Sequence, residues 1–153
     1  MKKRKNIALI IFCIPVIIYT LFFFLVSGDS MEPAYHDGQI VLVNRFVDAY
    51  HRGDVIIFKT ENTGLFSLRQ KLIKRIVGVP GDTVWVSNGV LYINDIPYDL
   101  TTELINDAGA AEEPVTLSDN EYFVLGDNVN NSKDSRVLGP VNGRDVIGCV
   151  LTK

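Results

Sequence analysis

The feature that most constrains this chain is an uncharged apolar run near its start. The run covers residues 7–26, IALIIFCIPVIIYTLFFFLV. Its length matches the roughly 20 residues that a helix needs to cross the core of a bilayer. The rest of the chain has the polar balance of an ordinary soluble domain. The sequence therefore predicts a transmembrane helix over residues 7–26 and a single domain over residues 27–153.

Charge is distributed unevenly on the two sides of this run. Four of the 15 Lys and Arg residues lie in residues 1–6, whereas all 18 Asp and Glu residues follow the run. The C-terminal part thus has a net charge of about −7. Such an acidic domain is not expected to bind nucleic acid. Basic residues flanking a span mark its cytoplasmic side, so we expect residues 1–6 in the cytoplasm and residues 27–153 outside the cell membrane.

A basic start followed by an apolar run is also the pattern of a cleavable secretory signal. This run is longer than the usual apolar region of such a signal, and no Ala-x-Ala site lies directly after Val26. The nearest small-x-small sequence is residues 28–30, and cleavage there would remove most of the first motif described below. The sequence therefore favours a retained single-pass anchor.

The cysteines and histidines do not indicate a metal site or a disulfide. Cys13 lies inside the apolar run, and Cys149 lies near residue 153. A bridge between them would have to join the bilayer to the domain, so we expect two free thiols. His36 and His51 are isolated in loop-like sequence. We therefore expect no metal and no cofactor.

After the apolar run the sequence is typical of β-strands. Short β-branched segments bounded by Gly and Pro predict strands over residues 39–46, 54–59, 72–79, 83–87, 90–93, 122–125 and 146–151. Asn88-Gly89 is a strong hairpin signal. Residues 99–114 are typical of a loop or a marginal helix. The predicted fold class is mostly β, with one antiparallel, barrel-like domain on an N-terminal transmembrane helix.

Two segments carry residues suited to hydrolysis. The first is SGDSMEP, residues 27–33, which taken alone is more typical of a linker leaving the membrane. The second is KRIVGVPGD, residues 74–82. In a strand, Lys74 lies on the same face as Leu72 and Ile76, where an unpaired lysine is unusual. A lysine reaching solvent at a sheet edge is the alternative interpretation.

A buried lysine has a specific use beside a serine. A serine hydroxyl is a poor nucleophile until a base removes its proton, and a solvated lysine is protonated at neutral pH. Burial disfavours the ammonium form and lowers the pKa of the amine. A neutral Lys74 would then act as general base for Ser30, as in other Ser-Lys dyads.

A third segment is GDNVNNSKDSR, residues 126–136. It contains small hydroxyls and carboxylates, including Asp127, Ser132 and Asp134. As plain sequence it is a polar loop rich in turn-forming residues. The same side chains are also suited to orienting a catalytic lysine and to linking loops by charge-assisted hydrogen bonds.

Together these segments resemble the ordered motif boxes of type I signal peptidases, with a fourth box at residues 53–55, GDV. The resemblance extends over residues 27–139 and looks most like the short Gram-positive branch. It implies an antiparallel β fold and cleavage of signal peptides after a small-x-small sequence. It also implies Ser30 as nucleophile, Lys74 as base, Ser132 as a hydroxyl orienting Lys74, and Asp134 and Arg136 as an ion pair.

The sequence departs from the family pattern in two places. Gly28 stands where many members have a serine whose hydroxyl helps to form the oxyanion hole, so the second donor is in question. Val129 and Asn130 replace a frequent Arg-Asp pair, so a local salt bridge is expected to be missing. For Met31, contact with lipid or substrate and packing into the domain are equally compatible with the sequence.

Two other functions remain as alternatives. A self-cleaving protease of the SOS-repressor type also uses a Ser-Lys dyad after a Gly-Asp-Ser-Met sequence, but it normally carries a DNA-binding module or a soluble arm. A catalytically silent, membrane-tethered assembly protein of the same fold would be expected to lose Ser30 or Lys74.

The resemblance and the apolar run give the expected partners, which are signal peptides of exported preproteins and the lipid bilayer. The sequence leaves open whether the substrates are general or a dedicated set such as pilins.

Overall fold

The computed structural model describes residues 22–60 and 70–151. These described residues form eleven strands. They are β1 Phe23–Leu25, β2 Ile40–Asn44, β3 Val55–Lys59, β4 Lys71–Gly78, β5 Thr83–Ser87, β6 Val90–Ile93, β7 Ile96–Pro97, β8 Val115–Thr116, β9 Glu121–Leu125, β10 Val141–Asn142 and β11 Val146–Val150. A helical turn covers Ser135–Leu138, and short 3₁₀ turns cover Gly109–Glu112, Val129–Asn131 and Gly143–Asp145.

The strands form two antiparallel sheets. The larger has seven strands in the order β1-β2-β11-β3-β4-β9-β10, and the smaller has four in the order β7-β6-β5-β8. The prediction of a mostly antiparallel β domain is thus confirmed. The barrel-like closure is not found, because the pairings seen in the described residues leave β1 and β10 as the two edges of an open sheet.

The hairpin predicted at Asn88-Gly89 joins β5 to β6. Both residues have positive φ, 49° and 77°, as a two-residue turn of this kind requires. Ser87 pairs with Val90 across the turn. The local sequence therefore determines this connection.

Most of the predicted membrane span lies outside the described residues, as do the basic N-terminus and Cys13. The last part of the predicted span was wrongly predicted as helix, because Phe23–Leu25 is strand β1. Phe23 pairs with Leu42, and Leu25 pairs with Ile40. Three apolar residues with high β-propensity fit a sheet edge as well as a bilayer. No helix in residues 22–60 or 70–151 is long and apolar enough to cross a membrane.

Three apolar clusters hold the sheets and the site together. One lies between the two sheets, where Val77 and Phe123 pack with Val84 and Leu91. Gly78 permits this close packing, since a Cβ there would lie 2.7 Å from Val84 Cγ2. A second cluster packs the segment after β1 against β2, β3, β4 and β11. The third lies on β3, β4 and β9 and includes Ile56, Phe58, Ile76, Tyr122 and Val124.

Candidate active site

Ser30 lies in a tight turn that follows β1. The Glu32 N–H donates to the Asp29 carbonyl at 3.1 Å, and the Tyr35 N–H donates to the Met31 carbonyl at 2.9 Å. Met31 is fully buried and Tyr35 is nearly so, both within the second apolar cluster. Of the two interpretations for Met31, the structure therefore supports packing into the domain. This packing fixes the turn against the sheet.

Gly28 precedes this turn in a conformation that favours glycine. Its φ is +85°, and its N–H donates to Asp37 Oδ1 at 2.7 Å. A Cβ built on Gly28 would meet nothing within 4 Å. Gly28 thus has no side-chain donor for an oxyanion, and its backbone N–H is already hydrogen-bonded to Asp37.

Lys74 reaches Ser30 from strand β4. It lies opposite Ile56 of β3, and only 2% of its surface is exposed. Its Nζ lies 2.6 Å from Ser30 Oγ and donates to the Ile73 carbonyl at 2.9 Å. Burial lowers the pKa of Lys74 to about 8, against the opposing effect of Asp134 and Asp127. Roughly a tenth of the amine is therefore neutral at pH 7, at hydrogen-bond distance from the serine.

Asp134 and Arg136, at the end of the third motif, form a buried ion pair. Arg136 Nε donates to Asp134 Oδ1, and Arg136 Nη2 donates to Asp134 Oδ2, both at 2.9 Å. The Gly126 N–H also donates to Asp134, at 3.1 Å. Arg136 further donates to the carbonyls of Asp107 and Val129. The pair thus fixes the path of the loop that follows β9.

Ser132 is placed beside the nucleophile turn. A Cβ on Gly126 would lie within 2.3 Å of Ser132 Oγ and 2.4 Å of the Ser30 carbonyl oxygen, so only glycine fits between them. Ser132 Oγ is buried, and within the part of the chain that the structure describes it has no hydrogen-bond partner. The hydrogen bonds of Lys74 Nζ go instead to Ser30 and Ile73. The orienting role of Ser132 stays a prediction.

Asp127 binds a residue that the sequence did not single out. Its two carboxylate oxygens accept from Arg75 Nε at 2.7 Å and Nη2 at 2.6 Å. Arg75 Nη1 also donates to the Gly53 carbonyl at 2.8 Å. This ion pair joins β4, the turn before β3 and the third motif. Arg75 follows Lys74 directly, and its side chain points to the opposite face of β4.

The two positions that depart from the family pattern have their own roles. Val129 is buried in the cluster between the sheets. Asn130 accepts from the Asn106 N–H at 3.0 Å and donates to the Leu104 carbonyl at 3.0 Å. Hydrogen bonds from the Asn130 amide to the neighbouring loop therefore take the place of the Arg-Asp salt bridge that is frequent in the family.

Asn128 is the neighbour of Ser30 that sequence analysis missed. Its backbone N–H donates to the Ser30 carbonyl at 3.1 Å, and its side-chain Nδ2 donates to the Asp29 carbonyl at 3.2 Å. The third motif contained this residue, but nothing in its spacing indicated that it contacts the first motif.

Comparisons with known proteins point to one family. The family model described as "Signal peptidase, peptidase S26" matches residues 3–152. Signal peptidase I S of Bacillus subtilis is 38% identical over 130 residues, which cover 74% of this chain and 65% of that protein. Signal peptidase I U of the same organism is 34% identical over 96% of this chain and 87% of its own length.

A solved structure shows the same fold. The crystal structure of a signal peptidase I from Enterococcus faecalis has a TM-score of 0.54 and 32% sequence identity, covering 69% of this chain and 99% of that one. The chain spans about two-thirds of the length of some curated relatives, at 65% and 64%. The resemblance found in the motifs is confirmed, and this chain belongs to the signal peptidase family, peptidase S26.

Proposed function

We propose that this chain is a membrane-bound serine endopeptidase that removes N-terminal signal peptides from exported preproteins. One observation carries the proposal: a buried lysine, Lys74, lies 2.6 Å from the hydroxyl of Ser30. In this proposal Ser30 is the nucleophile and Lys74 is the general base. The names of the relatives, all signal peptidases, support the choice of substrate over the self-cleaving alternative.

The first half of the reaction forms an acyl-enzyme. Neutral Lys74 takes the proton of Ser30 Oγ as the oxygen attacks the scissile carbonyl carbon. The carbonyl oxygen becomes an oxyanion that the Ser30 N–H stabilises. When the carbon–nitrogen bond breaks, the ammonium of Lys74 returns the proton to the leaving amine. That amine is the new N-terminus of the mature protein.

The second half regenerates the enzyme. Lys74, again neutral, removes a proton from a water molecule that attacks the ester carbon. The bond between Ser30 Oγ and the acyl carbon then breaks, and Lys74 protonates the serine oxygen. The signal peptide leaves with a new carboxylate. One amine thus serves as base and acid in both halves, which requires a pKa near the working pH.

A membrane location completes the proposal. The part of the apolar run that precedes β1 would anchor the chain, with residues 1–6 in the cytoplasm and the peptidase domain outside. The edge hairpin β1–β2 exposes apolar side chains on one face, since Phe23 is paired with Leu42 and Leu25 with Ile40, and all four are exposed. Strand β1 is the end of the apolar run, so this face would rest on the bilayer and hold Ser30 near the depth of a signal peptide's cleavage site.

The test is cleavage of a preprotein panel by the purified, detergent-solubilised enzyme. Wild type should release the signal peptide, whereas Ser30→Ala and Lys74→Ala should not, because nucleophile and base act as a unit. Lys74→Arg should also fail, since a guanidinium stays protonated. Circular dichroism of each variant controls for folding. Cleavage by a folded Ser30→Ala protein would refute the assignment, as would a wild type that processes no preprotein.

A further inference from the structure

We infer that Asn128 is a positioning residue that fixes the direction of the Ser30 backbone N–H, the donor facing the oxyanion. The inference rests on the proposed function, because an oxyanion forms only if Ser30 attacks a carbonyl. It adds to that function a residue that acts through the nucleophile turn without touching the substrate. Asn128 is half-buried and lies in the loop that follows β9.

Asn128 holds the carbonyls on both sides of the serine. Its Nδ2 donates to the Asp29 carbonyl at 3.2 Å, and its own N–H donates to the Ser30 carbonyl at 3.1 Å. These two carbonyls belong to the two peptide units that meet at the Ser30 Cα. One residue from a distant loop thus restrains both rotations about that carbon.

Planarity of the peptide bond converts this restraint into a direction for the N–H. The carbonyl of Asp29 and the N–H of Ser30 are part of the same trans peptide unit, in which they point in opposite directions. A donor that binds the Asp29 carbonyl oxygen therefore makes the Ser30 N–H point away from that donor. The Glu32 N–H, which also donates to the Asp29 oxygen at 3.1 Å, acts in the same sense from within the turn.

The surroundings of the turn make this direction important in this chain. Gly28 has no hydroxyl, and its N–H is already bound to Asp37 at 2.7 Å. Neither group of Gly28 can therefore supplement the Ser30 N–H, which must stabilise a larger share of the oxyanion. Loss of one oxyanion donor lowers kcat by about 10²–10³ in serine peptidases. A misdirected donor should have a smaller effect, on the order of 10- to 100-fold.

Two substitutions separate the side-chain contact from the backbone contact. Asn128→Ala removes Nδ2 and keeps the N–H that binds Ser30. Asn128→Asp keeps the shape of the side chain and places an acceptor opposite the Asp29 carbonyl. The matched control is Asn130→Ala, because Asn130 lies in the same loop but binds Leu104 and Asn106 instead of the nucleophile turn.

The first measurement is steady-state cleavage of a signal-peptide substrate. We expect kcat to fall by about 10- to 100-fold in both Asn128 variants while KM stays within about twofold, since only the transition state uses the donor. The base-side limb of the pH profile should not move in Asn128→Ala, because Lys74 is untouched and no charge is added near it. Asn130→Ala should keep kcat within about threefold of wild type. If Asn128→Ala does not fold, Asn128→Asp provides the same test.

The second measurement uses a peptide aldehyde of the substrate sequence. Ser30 Oγ adds to the aldehyde carbon, and the former carbonyl oxygen then occupies the oxyanion position. The inhibition constant should rise in the Asn128 variants by about the same factor as kcat falls. In Asn128→Ala, a wild-type kcat, a change confined to KM, a shifted pH limb or an unchanged aldehyde affinity would each overturn the inference. If wild type itself cleaves no substrate, the proposed function fails instead.

Discussion

Lys74 Nζ lies 2.6 Å from Ser30 Oγ across a sequence separation of 44 residues. The contact joins a turn at the edge of the large sheet to a strand near its middle. Because the lysine is buried, the same geometry determines its proton affinity and its distance from the nucleophile. Each of the next two predictions tests one consequence of this relationship.

The pH profile of kcat/KM should report the ionisation of Lys74. Burial lowers the pKa of Lys74 to about 8, so the rate constant should rise with pH through a limb near 8 and level off above it. The measurement is kcat/KM on a peptide substrate between pH 6 and pH 11, roughly the range around that value. A limb as high as that of a free lysine would show that the amine is solvated and would remove the proposed base.

Replacing Lys74 by methionine should stabilise the domain at low pH. The lowered pKa corresponds to roughly 3 kcal/mol of disfavoured charging, partly offset by lost hydrogen bonds. We expect Lys74→Met to raise the free energy of unfolding by about 1–3 kcal/mol at pH 6.

This gain has a definite pH dependence. The cost of burying the ammonium is fully present below the folded-state pKa of about 8, and it fades as pH rises towards the ordinary value of 10.5. Urea titrations at several pH values measure the effect, with the exposed lysine change Lys71→Met as control. A gain for Lys74→Met that is the same at pH 6 and near pH 10.5 would contradict the assignment.

Breaking the buried ion pair should be far more costly than breaking an exposed one. Asp134→Ala leaves Arg136 buried without its carboxylate, so the free energy of unfolding should fall by about 3–5 kcal/mol. In the double variant with Arg136→Ala the loss should be smaller than the sum of the two single losses. Glu32→Ala, which breaks the exposed contact with His36, should cost less than about 1 kcal/mol. Additive losses at Asp134 and Arg136 would refute their coupling.

The orientation of the chain can be tested in intact cells. With residues 1–6 in the cytoplasm, the domain that follows Ser30 should be accessible from outside. Protease added to wall-stripped cells should digest this domain, while a cytoplasmic marker protein stays intact. Digestion only after lysis would reverse the proposed topology.

The strands were predictable because alternation and turn residues are local signals. Strands β5 and β6 were predicted with their observed bounds, Thr83–Ser87 and Val90–Ile93, and the other predicted strands differ from the observed ones by one or two residues at an end. Strand β1 was not, since Phe23–Leu25 continues an apolar run and hydropathy does not distinguish a sheet edge from a bilayer. The two-residue strands β7, β8 and β10 are too short to show alternation.

The site was predictable only in part. The alternation of side chains along a strand placed Lys74 among apolar neighbours, but its partnership with Ser30 was inferred from the chemistry of Ser-Lys dyads and from the family resemblance. The contacts of Asn128 and of Arg75 with Asp127 depend on how two distant loops fold against each other. Such contacts leave no periodic trace in the sequence, and only the assembled structure reveals them.

Strand order also bears on when Ser30 and Lys74 can come together as the chain is synthesised. The hairpin that contains Ser30 and the strand that carries Lys74 are joined through β11, which pairs with β2 on one side and β3 on the other. Among the described strands, β11 is the last in the chain. A nascent chain that still lacks Val146–Val150 has no strand between β2 and β3, so we expect Ser30 and Lys74 to be aligned only after this last strand has been synthesised.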